Sequence, residues 1–189
     1  MPFDHFALIA GFYDRAGQFR ISKPLLESLA LSPSCLLLDA GGGTGRVAVA
    51  LRGMVSEVFV VDLSRSMLRR AAGKGLATVC ASAESLPFPS GIFDRIIMMD
   101  ALHHVIDQHQ TAGELWRVLA PGGCIVIVEP DIRKFIVKLL AIAEKVLLMR
   151  SHFLAVGEIA SLFTDPNVKI AVNCNEINVI FVAEKVKRL

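Results

Sequence analysis

The stretch that decides the fold is LLLDAGGGTGRVAVAL, residues 36–51. Three leucines lead into Asp39. Gly41, Gly42, Gly43 and Gly45 follow around a single threonine, and then comes a run with helical character. This order reads as a buried strand, a tight turn with bare backbone, and a helix. An acid at a strand tip beside naked main chain suits a small molecule pressed against the backbone. A strand-to-helix turn with no ligand would look similar locally, so the rest of the chain has to decide.

Moving outward, EVFVVD (57–62), ATVCAS (77–82), DRIIMMD (94–100) and CIVIVEP (124–130) join CLLLDA (35–40) as short apolar runs rich in Val and Ile. They do not alternate with polar residues, the pattern of strands buried on both faces of a parallel sheet. Helical stretches separate them: GRVAVALRGM after the first, SRSMLRRAAGKG after the second, and QHQTAGELWRVLAPGG after the fourth. The last of these is expected to stop at Pro121-Gly122-Gly123. Alternating strands and helices imply right-handed βαβ units and a doubly wound α/β sheet. At the end, NVKIAVNC (167–174) and NVIFVAEK (178–185) are separated only by Asn175-Glu176-Ile177. That is too short for a parallel crossover, so these two form an antiparallel hairpin. The expected fold is α/β and Rossmann-like. Its seven-stranded sheet has five parallel strands plus a C-terminal antiparallel hairpin, with helices on both faces.

The 189 residues suit a single domain, 1–189. With 53% hydrophobic and 20% charged residues, the chain has material for a core and no disordered composition. A net charge of +2 gives no electrostatic argument for nucleic acid. No secretory signal and no run of about 18 apolar residues is read, so the expectation is a cytoplasmic protein without a membrane span. Cys35, Cys80, Cys124 and Cys174 lie far apart without a C-x-x-C pair. They read as small buried hydrophobes in a reducing compartment, and no metal is expected.

Against the dinucleotide fingerprint G-x-G-x-x-G, Gly41 and Gly43 fit, but Arg46 stands where the third glycine belongs. The match fails at the position needed for close helix–sheet packing, which disfavours a nicotinamide oxidoreductase. What is present is D-x-G-x-G-x-G. The next strand ends in Asp62, an acid able to accept two hydrogen bonds from ribose hydroxyls. Replacing Asp62 with Ala is expected to weaken cofactor binding with little loss of fold stability.

DAGGGTGR, VVDLS, SAESLPFPSGIFDRI, ALHHV and LAPGGCIVIVEP occur in an order and spacing that resemble class I S-adenosylmethionine-dependent methyltransferases. The nearest likeness is the small-molecule branch of ubiquinone/menaquinone C-methyltransferases, of the methyltransferase type 11 kind. The resemblance implies S-adenosyl-L-methionine as cofactor and S-adenosyl-L-homocysteine as product. It places Gly41, Gly42 and Gly43 against the methionine part, Asp39 near its ammonium, and Asp62 on the ribose. It places Leu63 and Met67 on one face of the adenine, and Ser82, Ala83 and Glu84 along its edge. The acid common in the family at the position of Ser82 is absent here. The N-terminal FDHFALIAGFYDRAGQF, within expected helices over 1–34, is similar to the branch's aromatic segment, from which Tyr13 could reach the cofactor.

Asp100, His103 and His104 follow the fourth strand and are the candidate catalytic groups, with Asp100 also beside the cofactor. Adjacent turn residues point in different directions, so at most one histidine faces a pocket. Residues 131–163 are expected to form a helical substrate cover or an interface. Within them, Lys134, Lys138 and Lys145 share one stripe of an otherwise apolar helix over 134–150 that includes Leu140 and Leu147. Packing on the domain or a second subunit as a homodimer, a roof over an apolar substrate, and peripheral contact with an anionic membrane all remain open. The functional expectation is methyl transfer to a small apolar or aromatic acceptor. The alternative is a non-catalytic cofactor-binding or partner protein on the same fold.

Overall fold

The strand Leu36–Ala40 (β1) is buried over four of its five residues because both its faces are covered. Leu37 joins one apolar cluster and Leu38 the other, as the two-residue period of a strand requires. The computed structural model describes residues 20–134, 137, 151–174 and 178–187. In chain order the described elements are α1 (Lys23–Leu29), β1, α2 (Arg46–Leu51), β2 (Glu57–Asp62), α3 (Arg65–Gly73), β3 (Ala77–Cys80) and β4 (Phe93–Met99). They continue with α4 (Gln108–Val118), β5 (Leu119–Pro130), α5 (Val156–Ser161), β6 (Val168–Cys174) and β7 (Asn178–Lys185).

The strands form a seven-stranded sheet in the order β3-β2-β1-β4-β5-β7-β6. β1 runs parallel to β2 and β4, β2 parallel to β3, and β4 parallel to β5. β7 is antiparallel to both β5 and β6, giving the C-terminal hairpin read from the sequence. α1, α2 and α3 cover one face through Leu25, Leu29, Val47, Leu51 and Leu68. α4 and α5 cover the other through Leu115, Val118 and Ile159. The strand order reverses between β1 and β4, and in such sheets the ligand crevice lies outside the carboxyl ends at that point.

The stop of α4 differs from the sequence expectation. The helix ends at Val118, and Leu119 is already extended and pairs with Phe93 of β4. Pro121, Gly122 and Gly123 lie in a register shift before Cys124 pairs with Arg95. Gly123 is glycine because a Cβ there would lie 2.6 Å from the Asp94 carbonyl oxygen. The end of α4 is tied off instead by Lys185, whose Nζ donates to the carbonyls of Trp116 (2.7 Å) and Leu119 (2.9 Å).

Cys35 and Cys124 are buried as expected, whereas Cys80 and Cys174 are exposed, the first at the end of an edge strand and the second at the end of the outermost one. Within 131–163, α5 packs on the sheet through Ile159, and Phe163 stacks on Phe181 of β7 at 5.5 Å. Tyr13 and the apolar helix expected over 134–150, apart from Lys134 and Val137, lie outside the described residues. Among the described residues, no helix is long and apolar enough to cross a membrane.

Candidate functional site

A cavity of about 640 Å³ opens at the carboxyl ends of β1, β2 and β4. Its wall is built from the glycine loop after β1, the turn after β2, residues 81–84 after β3, and residues 98–101 and 104–106 around the end of β4. Of the sequence-predicted residues, Asp39, Gly41, Gly42, Gly43, Asp62, Leu63, Met67, Ser82, Ala83, Glu84, Asp100 and His104 all lie on this wall. His103 does not, and Tyr13 is outside the described residues.

The loop is shaped by two close approaches. A Cβ on Gly42 would sit 2.6 Å from the Asp39 Cγ, so the carboxylate lies directly under the bare backbone. A Cβ on Gly45, which has φ +73°, would sit 2.3 Å from Leu76 and 3.1 Å from the Cβ of Ala71 in α3. Gly45 therefore performs the close packing that the fingerprint assigns one residue later. Arg46 is released to the cavity wall, where its Nη2 donates to Asp100 Oδ2 at 3.3 Å. Asp100 adopts φ +51°, a left-handed conformation that Asp tolerates better than most residues.

Asp39 is 1% exposed, and its Oδ2 has no hydrogen-bond partner among the described residues. Burial pushes its pKa up to about 7. The nearby Asp62 charge adds to that, while a backbone hydrogen bond from Ala48 and the charge of Arg46 oppose it. Asp62 is held by two backbone donors: Gly43 N–H to Oδ2 at 2.9 Å and Ser64 N–H to Oδ1 at 2.7 Å. Ser64 in turn caps α3 by accepting from Met67 N–H. The glycine loop, the ribose candidate and the start of α3 are thus one hydrogen-bonded unit.

Glu84 has a role not foreseen from sequence. Its Oε1 accepts from Ile106 N–H (2.7 Å) and Asp107 N–H (2.9 Å), and its Oε2 accepts from the Ser82 hydroxyl (2.9 Å). It ties the loop after β3 to the start of α4. Leu63 is 68% exposed and Met67 is buried, so the two form one apolar flank of the cavity, at its rim and its floor.

Of the two adjacent histidines, His104 is the imidazole on the wall. Its pKa is lowered to about 3, by burial first and by His103 second. Its Nδ1 lies 3.3 Å from the Ser151 hydroxyl. His103 is buried, with Nδ1 hydrogen-bonded to Glu129 Oε2. Glu129 was not singled out in the sequence. The signal was present all the same: a carboxylate inside CIVIVEP, a run otherwise buried on both faces, requires internal partners.

Residues 38–127 match the family model described as "Methyltransferase domain". The matched stretch holds every strand lining the cavity from Leu38 onward. Over 124 residues the chain is 36% identical to the ubiquinone/menaquinone biosynthesis C-methyltransferase UbiE of Bordetella parapertussis, an alignment covering 60% of this chain and 48% of that protein. The chain spans about half the length of the curated relatives it matches. Among solved structures, a SAM-dependent methyltransferase from Aquifex aeolicus has a TM-score of 0.76 at 19% identity, covering 97% of this chain and 100% of that one. Geranyl diphosphate C-methyltransferase from Streptomyces coelicolor, solved with Mg2+, geranyl diphosphate and S-adenosyl-L-homocysteine, has a TM-score of 0.72 at 16% identity, covering 87% and 77%. At these identities the structural likeness is one of fold.

Proposed function

We propose that the protein is an S-adenosylmethionine-dependent methyltransferase acting on a small apolar or aromatic acceptor. The observation that carries this reading is the buried, unpartnered Asp39 Oδ2 beneath Gly42, with Asp62 on the neighbouring strand end. The residues fit the cofactor. An ammonium satisfies Asp39, and its charge favours the ionised carboxylate that burial alone opposes. A ribose diol suits Asp62, whose oxygens can each accept more than one hydrogen bond. Leu63 and Met67 offer an apolar surface to the adenine, and Ser82 and Ala83 line its edge. A volume of about 640 Å³ lies mid-range for ligand sites.

When bound, the cofactor supplies an electrophilic methyl group on a sulfonium. The chain's own contribution is placement and exclusion of water. Holding reactants in line can lower a barrier by about 7–11 kcal/mol. His104, neutral down to about pH 3, is too weak a base to take a proton outright at neutral pH. It instead receives or gives a hydrogen bond and orients the acceptor. Arg46 and Asp100, paired on the same wall, add a polar edge to this end of the cavity. Met99, Val105 and Ile106 give this end of the cavity its apolar lining.

The test joins binding to turnover. S-adenosylhomocysteine should raise the melting temperature, since a ligand of the folded state alone stabilises it, and NAD should not. Labelled methyl groups should then pass from S-adenosylmethionine to a member of a phenol, quinone and lipid panel. A shift with NAD alone would overturn the assignment. Firm binding of S-adenosylhomocysteine with no transfer to any acceptor would favour the non-catalytic alternative.

A further inference from the structure

Glu129 is 5% exposed in a strand whose preceding residues, Ile125, Val126, Ile127 and Val128, are all apolar and buried. A buried carboxylate persists only with its oxygens occupied. Here Oε1 accepts from Ala101 N–H (3.1 Å) and Leu102 N–H (2.8 Å), and Oε2 is bonded to His103 Nδ1. All three donors lie on the turn that leaves β4 and leads to His104. The His103 ring is 3% exposed, stacks on Phe153 at 4.3 Å and 13°, and lies 4.0 Å from the His104 ring. His152 N–H donates to the His103 carbonyl at 2.7 Å, and Gln108 Nε2 bridges the carbonyls of Leu102 and His152.

A carboxylate on Nδ1 fixes that nitrogen as the protonated one and favours the imidazolium form. A cationic ring beside a second buried imidazole opposes charging of the second. The direction found for His104 agrees with this. Among the described residues, its ring nitrogen Nδ1 lies 3.3 Å from the uncharged Ser151 hydroxyl. Among the described residues, the charged groups sharing the cavity wall are Arg46, Asp100, Asp39, Asp62, Arg65 and Glu84, and on the elements packed behind it the titratable groups are Glu129, His103 and His152.

We propose that Glu129 and His103 are positioning residues: their buried pair pins the turn 101–104 and sets the His104 imidazole on the cavity wall, where it hydrogen-bonds the methyl acceptor. This rests on the reading of the cavity as a cofactor-and-acceptor site. An uncharged imidazole offers one donor and one acceptor rather than two donors. With Nδ1 on the Ser151 hydroxyl, the other ring nitrogen gives or takes one hydrogen bond, which suits a hydroxyl acceptor, as in a phenol or enol.

The experiment is a histidine proton–carbon NMR titration of the full chain, with the His104 signal identified by His104→Gln. Glu129→Gln keeps the shape and one carbonyl oxygen for the turn N–H groups but removes the charge facing His103. In the native protein His104 should stay neutral through pH 5. In Glu129→Gln, and independently in His103→Gln, its midpoint should move upward, while burial still holds it below the ordinary histidine value of about 6.5. A native midpoint already near that value, or one that moves in neither variant while circular dichroism shows both folded, overturns the proposal. Should Glu129→Gln fail to fold, His103→Gln decides alone. With S-adenosylhomocysteine present, added phenol should shift the His104 signal and added benzoate should not; the reverse result overturns the acceptor assignment. Calorimetry separates the two readings. If the native protein does not bind S-adenosylhomocysteine, the proposed function fails, while the titration still decides the pair.

Discussion

Replacing Asp39 with Asn tests the floor of the proposed cofactor site. The carboxylate is buried under Gly42 with one oxygen unpartnered, and its pKa is raised from 3.8 to about 7. At about 1.4 kcal/mol per pH unit, that displacement corresponds to about 4 kcal/mol held against the ionised form. The sign follows from which state holds the proton. The folded chain keeps it up to about pH 7, and the unfolded chain releases it near 4. Stability contributed by the protonated form is complete below about pH 4 and is lost as pH rises toward 7. Asn cannot ionise, so the variant lacks this slope and should exceed the native protein in stability at pH 8, by at most about 4 kcal/mol. Ligand binding should show the opposite preference. An ammonium at Asp39 draws the carboxyl into its charged form. Native affinity for S-adenosylhomocysteine should therefore rise with pH below about 7, by up to tenfold per unit, with proton release. The Asn variant should bind at least tenfold more weakly at pH 8 and show no such slope, since a hydrogen bond to a charged group contributes about 1.5–3 kcal/mol. Thermal unfolding across pH 5–8.5, and calorimetry in two buffers of different ionisation heat, measure both. Native affinity that is flat in pH, or an Asn variant that binds as tightly as the native chain, would refute the reasoning.

His104 should govern the acid side of the same profile. Its folded pKa of about 3 lies below the ordinary 6.5, so its contribution is present above 6.5 and falls as pH drops; the Asp39→Asn variant should lose stability on acidification, as read by thermal unfolding, and a flat profile would count against it. Asp62→Ala should cut S-adenosylhomocysteine affinity tenfold or more in a calorimetric titration. It should also lower unfolding free energy by about 2–3 kcal/mol, because Gly43 and Ser64 lose a charged acceptor; unchanged stability would mean these bonds matter little. Gly123→Ala, which places a Cβ 2.6 Å from the Asp94 carbonyl, should cost about 1–3 kcal/mol in denaturant unfolding while sparing cofactor affinity. Glu84→Ala should weaken S-adenosylhomocysteine binding severalfold by untying residues 82, 106 and 107, and equal affinity would show that the loop holds itself.

The sheet was legible because its strands are covered on both faces. LLLDA, EVFVVD and DRIIMMD carry no polar alternation, and each supplies one cluster from its odd positions and the other from its even ones. The hairpin was legible from chain length alone. The end of α4 was not. Pro121-Gly122-Gly123 has the composition of a helix stop, but its glycines serve the register shift between β4 and β5. The group that does tie off the helix, Lys185, is far away in sequence, and no local pattern announces such a partner.

Asp62 reads in the sequence as a strand-end acid serving the ribose of a ligand, so its loss was expected to spare the fold. In the structure the same carboxylate closes the glycine loop onto α3. A site residue that accepts backbone hydrogen bonds cannot be purely functional, because the geometry that presents it depends on it. Glu84 and Glu129 carry this further. Each carboxylate accepts from N–H groups of the segment between β4 and α4, Glu84 at residues 106–107 and Glu129 at residues 101–103. His104 lies between those anchors. The backbone that follows β4 is therefore held from both sides by buried or half-buried acids contributed by β5 and by the loop after β3. An acid in an apolar run, or one beside a glycine loop, is better read first as the acceptor for a nearby irregular backbone. On that reading the candidate acceptor site is shaped by charges that never touch the acceptor.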